Sequence, residues 1–249
     1  MSARLVGVGV GPGDPELLTV KAVRVLRTAD VVLVPVLDID ADATGRAEGC
    51  VRAHLGADPR VRRVRFALND RRGLSADRVD SWDAAARAVL DCWAAGAATV
   101  AFATIGDPSV YSTFSYLAQT VRAAQPDVVV DVVPGITAMQ DLAARSRTPL
   151  CQGTETLALL PMTAGLDRFA AALDGFDTVV AYKGGRRLPQ MLDAVKRAGR
   201  LHTAVHGAAL GLPGEDVRTG ADVAARREEA PYLSTLLVPP ARRGRGERL

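Results

Sequence analysis

Three short stretches carry residue types suited to holding a small ligand: Gly11-Pro12-Gly13-Asp14-Pro15, the run Thr104 to Thr113 (TIGDPSVYST), and Pro134-Gly135-Ile136-Thr137. Glycine can take positive φ and lets other atoms approach the backbone, proline fixes its own φ, and Asp, Ser and Thr offer polar atoms. Two further Gly-rich runs, Lys183-Gly184-Gly185-Arg186-Arg187 and Ala208 to Glu215, have the same character. Each run taken alone is equally well an ordinary turn. The first is not the dinucleotide fingerprint: the sixth position is Pro12 counted from Gly7 and Asp14 counted from Gly9. A GK[ST] phosphate loop is absent as well. Arg60, Arg62, Arg63 and Arg65 form a basic cluster that is either the solvated face of a strand or a site for an anion.

The elements between these stretches decide what they can do together. Leu5 to Val10, Val31 to Val34, Val61 to Phe66, Ala98 to Ala103 and Val128 to Val133 read as strands, the second stopped by Pro35. Helices are expected from a Thr19 N-cap through Thr28 and over 46–55, 82–95, 114–124 and 138–145, with polar loops at 38–45 and 69–80. Strand, helix, strand in so short a span is a βαβ unit, which builds a parallel sheet. Three loops at the carboxyl ends of its strands then lie on one edge, where α/β proteins bind ligands. The second half changes character. Strands are expected at 156–161, 178–182, 203–207 and 233–238, with helices at 166–173 and 188–198. The fold class is α/β with two domains, 1–148 and 149–240, and an Arg-rich disordered tail at 241–249.

Composition narrows the classes. The chain has 249 residues, 48% hydrophobic, enough for two cores. No apolar run approaches the ~20 residues of a membrane helix, and the start has no long apolar leader, so a cytoplasmic protein without a membrane partner is expected. Cys50, Cys92 and Cys151 are widely spaced and, with three His, give neither a zinc pattern nor a disulfide framework. A net charge of +3 and 4% aromatics do not suggest nucleic acid. Trp82 and Trp93 read as packing residues.

With these loops in place, the chain resembles the tetrapyrrole methylases, S-adenosylmethionine-dependent enzymes that methylate corrin and sirohaem precursors. The carriers are GVGVGPGDPELLTVKAVRVLRTADVV (Gly7 to Val32), GDPSVYST (Gly106 to Thr113), VVPGIT (Val132 to Thr137) and GLPGE (Gly211 to Glu215). GDPSVYSTFSYL, ETLALLP (Glu155 to Pro161) and YKGGR (Tyr182 to Arg186) are similar, more narrowly, to the branch that methylates precorrin-2 at C20. The resemblance implies two α/β domains with the cofactor in a cleft between them, in a homodimer. It carries over Ile105, Gly106, Asp107, Val110, Thr137, Ala138, Tyr182, Lys183, Gly207 and Ala208 as S-adenosyl-L-methionine contacts. It also places Pro12, Gly13 and Asp14 toward the tetrapyrrole. Two glycines after Lys183, where relatives more often have one bulkier residue, and the loop from Asp38 to Gly49 depart from the branch.

Such a reaction needs alignment rather than a metal, because the cofactor's methyl is already activated on a sulfonium. The implied substrate is a small-molecule tetrapyrrole bearing many carboxylates, so cations should line its site, Arg186 and Arg187 first and the Arg60 to Arg65 run second. Loss of the C20 proton calls for a base. Tyr111 and His206 are the available groups, with packing as the competing role for both. Other substrates of the family stay open: a cobalt-containing form of precorrin-2, uroporphyrinogen III, another corrin position, or ribosomal RNA.

Overall fold

A computed structural model describes residues 3–66, 75–226, 228–242, 244 and 246. By its contacts the chain divides into two compact units, Met1–Thr137 and Ala138–Leu249.

In the first unit the elements run β1 (Arg4–Gly9), α1 (Val20–Thr28), β2 (Val31–Val36), α2 (Arg46–Leu55), β3 (Val61–Arg65), α3 (Ala76–Ala94), β4 (Thr99–Thr104), α4 (Phe114–Ala124) and β5 (Val129–Val133). The five strands are all parallel, in the order β3-β2-β4-β1-β5. β1, β2 and β4 are nearly continuous apolar runs because both of their faces are covered. Leu5, Leu33, Phe102 and Phe114 belong to one core with Val89 of α3 and Leu117 of α4. Val6, Val8, Val32, Val34 and Ala101 belong to the other, with Leu26 of α1 and Val51 of α2. Thr19 caps α1 as expected, its Oγ1 accepting from the Ala22 N–H at 3.0 Å.

Pro35 does not stop β2, which runs on to Val36. Beyond Leu33 the strand has lost its pairing with β4 and pairs with β3 alone, where a missing N–H is tolerated. The expected loop at 69–80 is helical in its last part. α3 begins at Ala76, capped by Ser75, whose Oγ accepts from the Arg78 N–H at 3.2 Å, while 67–74 lie outside the described residues. Ser-Ala-Asp was the start signal, and the sequence reading passed over it.

The second unit contains α5 (Ala138–Arg145), β6 (Leu157–Pro161), α6 (Leu166–Gly175), β7 (Thr178–Tyr182), α7 (Leu188–Arg197), β8 (Val205–Ala208), β9 (Asp216–Thr219), α8 (Gly220–Ala224) and β10 (Ser234–Val238). Its sheet is mixed, in the order β6-β7-β10-β8-β9: β6 and β7 are parallel, and β10 runs antiparallel to both β7 and β8. The carboxyl ends of β6, β7 and β8 therefore share an edge. α6 and α7 cover one face through Phe169, Met191 and Val195, and α5 covers the other through Leu142 against Val180, Val205 and Leu237. That packing groups α5 with the second unit, so the contact division lies at the start of this helix and the boundary drawn from sequence at its end. β9 and α8 are too short and too polar to have been expected. Arg242 is not part of a loose tail. Its guanidinium pairs with the enclosed carboxylate of Glu155, Nε to Oε1 2.9 Å, and holds that carboxyl below its usual range. Among the described residues, no helix is long and apolar enough to cross a membrane, and no group of His, Cys, Asp and Glu could hold a metal ion.

Candidate functional site

In the first unit three neighbouring strand ends meet backbone to backbone. A Cβ on Gly9 would lie 2.6 Å from the Gly106 carbonyl oxygen and 2.7 Å from the Gly135 Cα, and a Cβ on Gly135 would lie 2.2 Å from that same oxygen. The two loops and β1 are thus in contact only because Gly9 and Gly135 lack side chains, the Gly106 carbonyl lying against both. Gly106 takes φ +70°, and its N–H donates to the Gly11 carbonyl at 2.8 Å. The other glycine of β1, Gly7, has a different neighbour: it makes room for the Phe114 ring of α4.

Asp107 ties this edge together. Its Oδ1 accepts from the Ser109 N–H at 2.7 Å and its Oδ2 from the Gly135 N–H at 2.9 Å. The carboxylate therefore braces the β4 loop against the β5 loop. Ser112 closes the other side of the β4 loop, with its Oγ 2.8 Å from the Thr104 Oγ1 and 3.1 Å from the Phe114 N–H. Ile105, Gly106, Asp107 and Val110 are all partly accessible, whereas Thr137 is buried. Tyr111, at φ +49°, exposes 41% of its surface, and burial of the remainder pushes its phenol up, so it is protonated at neutral pH.

The loop after β1 is held from behind by α2. The Cys50 thiol donates to the Gly13 carbonyl at 3.3 Å, and His54 Nε2 lies 2.9 Å from the Pro15 carbonyl, to which only a protonated nitrogen can donate. Burial, with the Asp14 charge behind it, pushes the Cys50 thiol up to about 11, so it is a neutral donor. Pro12 and Gly13 are buried; what this loop leaves accessible is Asp14, whose Oδ1 accepts from the Glu16 N–H at 2.9 Å.

Three arginines of the basic run at β3 are paired within the fold. Arg60 bonds to Asp58 and to the carbonyls of Arg27 and Ala29 at the end of α1. Arg63 bonds to Glu48 and to the carbonyls of Ile39 and Ala41, and Arg65 to Asp77. Burial alone would raise the Glu48 carboxyl, but the guanidinium groups of Arg52 and Arg63 and the Gly45 N–H bring it below its usual range. Arg60 and Arg63 thus serve a structural network, while Arg62 and Arg65 of the second-choice anion site stay exposed.

In the second unit, Tyr182 ends β7 and its hydroxyl accepts from the Met139 N–H in the first turn of α5 at 2.9 Å. Lys183 follows at φ +61°. Gly184 and Gly185 are both packed: a Cβ on the first would strike Met191 Sδ at 2.5 Å, and one on the second would strike the Pro231 carbonyl oxygen at 2.1 Å. The second glycine, part of the departure from the branch, is thereby required here by the backbone at Ala230 and Pro231, whereas the first faces only methionine side chains. Arg186 and Arg187, the next residues, are exposed. Gly207 and Ala208 close β8 and are buried, Gly207 against Leu142 of α5. His206, between them and Val205, is fully enclosed. Its Nδ1 lies 3.0 Å from Arg226 Nη1 and must accept, which leaves the ring proton on Nε2. Burial first, then the Arg226 charge, brings His206 down to about 4. Of the two candidate bases, His206 is sealed from any ligand, while Tyr111 is partly exposed. The sequence reading missed Arg145, Glu215 and the α2 pair Cys50 and His54; GLPGE marked Glu215, but nothing local marked the others.

Two units, one an all-parallel sheet with glycine-rich loops at its strand ends, define an α/β protein of the kind that takes ligands at such an edge. Residues 4–222 match the model of the Tetrapyrrole (Corrin/Porphyrin) Methylases, and the chain belongs to that family. It is 37% identical over 239 residues to a precorrin-2 C(20)-methyltransferase of Sinorhizobium sp., covering 95% of each chain. With a cobalt-precorrin-2 C(20)-methyltransferase of Salmonella typhimurium it shares 30% identity, covering 96% of this chain and 97% of the relative. Among solved structures, the uroporphyrin-III C-methyltransferase of Thermus thermophilus complexed with S-adenyl homocysteine has the same fold, with a TM-score of 0.65 at 24% identity over 95% of this chain and 92% of that one.

Proposed function

We propose that this protein transfers a methyl group from S-adenosyl-L-methionine to C20 of precorrin-2. The observation that carries the reading is the end-to-end similarity to the Sinorhizobium C20 enzyme, without large insertion or loss on either side. The Salmonella relative favours the cobalt-containing form of the same ring as the second substrate to consider.

The residues present fit the cofactor. Gly9 and Gly135 let β1 and the β4 and β5 loops close up, which supports a ligand lying close to the main chain there. In the first unit Ile105, Gly106, Val110 and Thr137 hold it, with Asp107 keeping their loop in place; in the second, Ala138, Tyr182, Lys183, Gly207 and Ala208 do so. When bound, the cofactor supplies an activated methyl on a positive sulfonium. What the protein adds is alignment and exclusion of water. Arg186 and Arg187, exposed and following a glycine packed against backbone, meet the carboxylates of the tetrapyrrole. The Asp14 side of the β1 loop faces the same ligand. We read the protein as cytoplasmic and homodimeric, as the family resemblance implies.

Assaying radiolabelled methyl transfer to metal-free precorrin-2 and to its cobalt form checks the reading. A kcat/KM at least tenfold higher for one of them than for uroporphyrinogen III is expected. Equal or greater activity on uroporphyrinogen III would refute it.

A further inference from the structure

Helix α5 touches every candidate cofactor segment of its own unit, and each contact is of a different kind. Ala138 is its first residue. The Met139 N–H bonds to the hydroxyl of Tyr182, which ends β7. Leu142 lies where a Cβ on Gly207 would be, 2.6 Å from its Cδ1. Arg145, in its last turn, reaches the loop after β8: Nη1 is 2.8 Å from Glu215 Oε2, while Nε is 2.8 Å from Oδ1 of Asp141, a carboxylate only 5% exposed. Glu215 in turn accepts from the Gly211 N–H at 2.7 Å.

That loop needs holding. Ala209, Gly211 and Gly214 take φ of +51°, +69° and +83°. Two tight turns fold it, Leu212 N–H to the Ala209 carbonyl at 3.0 Å and Glu215 N–H to the Leu212 carbonyl at 3.1 Å. A non-glycine residue at positive φ persists only where its surroundings hold it there, and such strain gathers at ligand clamps. Ala209 directly follows Gly207 and Ala208, and the Glu215 carboxylate is what closes the loop behind them.

We propose that Glu215 and Arg145 are positioning residues for the cofactor, setting the loop after β8 against α5 so that Gly207 and Ala208 present their backbone in register with Ala138 and Tyr182. The inference rests on the reading that this loop meets S-adenosylmethionine. The alternative role is stabilisation alone. An ion pair of which 26% and 31% remain exposed contributes little to folding, whereas a charge-assisted tie to a loop N–H fixes geometry.

The two roles separate by experiment. Amide hydrogen exchange on the wild-type protein, with and without S-adenosylhomocysteine, comes first. Protection of the amides from 207 to 215 is expected, and its absence would overturn the underlying cofactor reading and the inference with it. Calorimetric titration of Glu215→Ala, Glu215→Gln and Arg145→Lys with S-adenosylhomocysteine then tests the inference itself. Glu215→Ala should weaken binding on the order of tenfold. Glu215→Gln, which keeps an acceptor for the Gly211 N–H, should recover most of that, and Arg145→Lys should fall between. The tetrapyrrole KM at saturating cofactor should stay within twofold of wild type throughout. Protected amides together with wild-type affinity in Glu215→Ala, or an equal loss in the alanine and glutamine variants, would overturn it.

Discussion

The two units solve the same problem, an edge of strand ends open to a small ligand, with different materials. The first uses backbone. Gly9, Gly106 and Gly135 press main chain against main chain, and a single carboxylate, Asp107, bonds two loops through their N–H groups. The second uses side chains: the Tyr182 hydroxyl, the Arg145 guanidinium and the Glu215 carboxylate span gaps that backbone does not close. A parallel sheet with both faces covered can bring adjacent strand ends together without side chains. A mixed sheet, with β10 inserted antiparallel between β7 and β8, separates the ends that share an edge, and longer groups must reach across.

On that contrast, the first edge should tolerate no added atom at Gly9 or Gly135. Gly135→Ala places a Cβ 2.2 Å from a carbonyl oxygen with no flexible side chain to yield. A loss of about 4 kcal/mol in denaturant unfolding is expected, with no measurable S-adenosylhomocysteine binding. Wild-type stability would break the comparison at its strongest point.

His206 offers the next largest effect, on the side-chain unit alone. It is brought down to about 4 in the folded protein, so folding holds its neutral form. That contribution is complete above the unfolded value near 6.5 and is lost as pH falls from there through about 4, up to about 3 kcal/mol in all. Chemical unfolding of wild type and His206→Gln between pH 4 and 7 should show a slope in the first that flattens in the second. Parallel curves would contradict the enclosed, neutral imidazole.

Asp107→Ala leaves two backbone N–H groups unpaired, and a cost of about 2 kcal/mol is expected. It should appear as weaker cofactor binding by calorimetry, because the loop it releases carries Ile105 and Gly106. Unaltered affinity would remove the brace from the account. The smallest effect is assigned to Arg186→Ala, an exposed cation: a tetrapyrrole KM raised about fivefold with cofactor affinity unchanged, worth about 1 kcal/mol. An unchanged KM would take the carboxylate contact elsewhere.

The first edge could be read from the sequence almost whole, because its chemistry is local. Gly-Pro and Gly-Asp-Pro after apolar runs announce both the strand and the turn that ends it, and parallel pairing puts the turns side by side. The Arg60 to Arg65 run was not resolvable in that way. Alternation along a strand shows that the cations leave the core, but not that Glu48, Asp58 and Asp77 wait for them. His206 looked like a base because a histidine beside a glycine-rich loop is chemically apt, and only the fold shows it sealed. Arg145 and Glu215 are far apart in sequence, and no period or spacing joins them. Asp107 stood out in the sequence as a polar anchor, and the geometry adds a second role, each oxygen accepting an N–H from one of two loops.

The direct test of the central claim is the position of the transferred carbon. With ¹³C-methyl-labelled S-adenosylmethionine and metal-free or cobalt precorrin-2, NMR of the product should show one new labelled methyl, at C20. A label on another ring carbon, or no label on either substrate, would contradict the account.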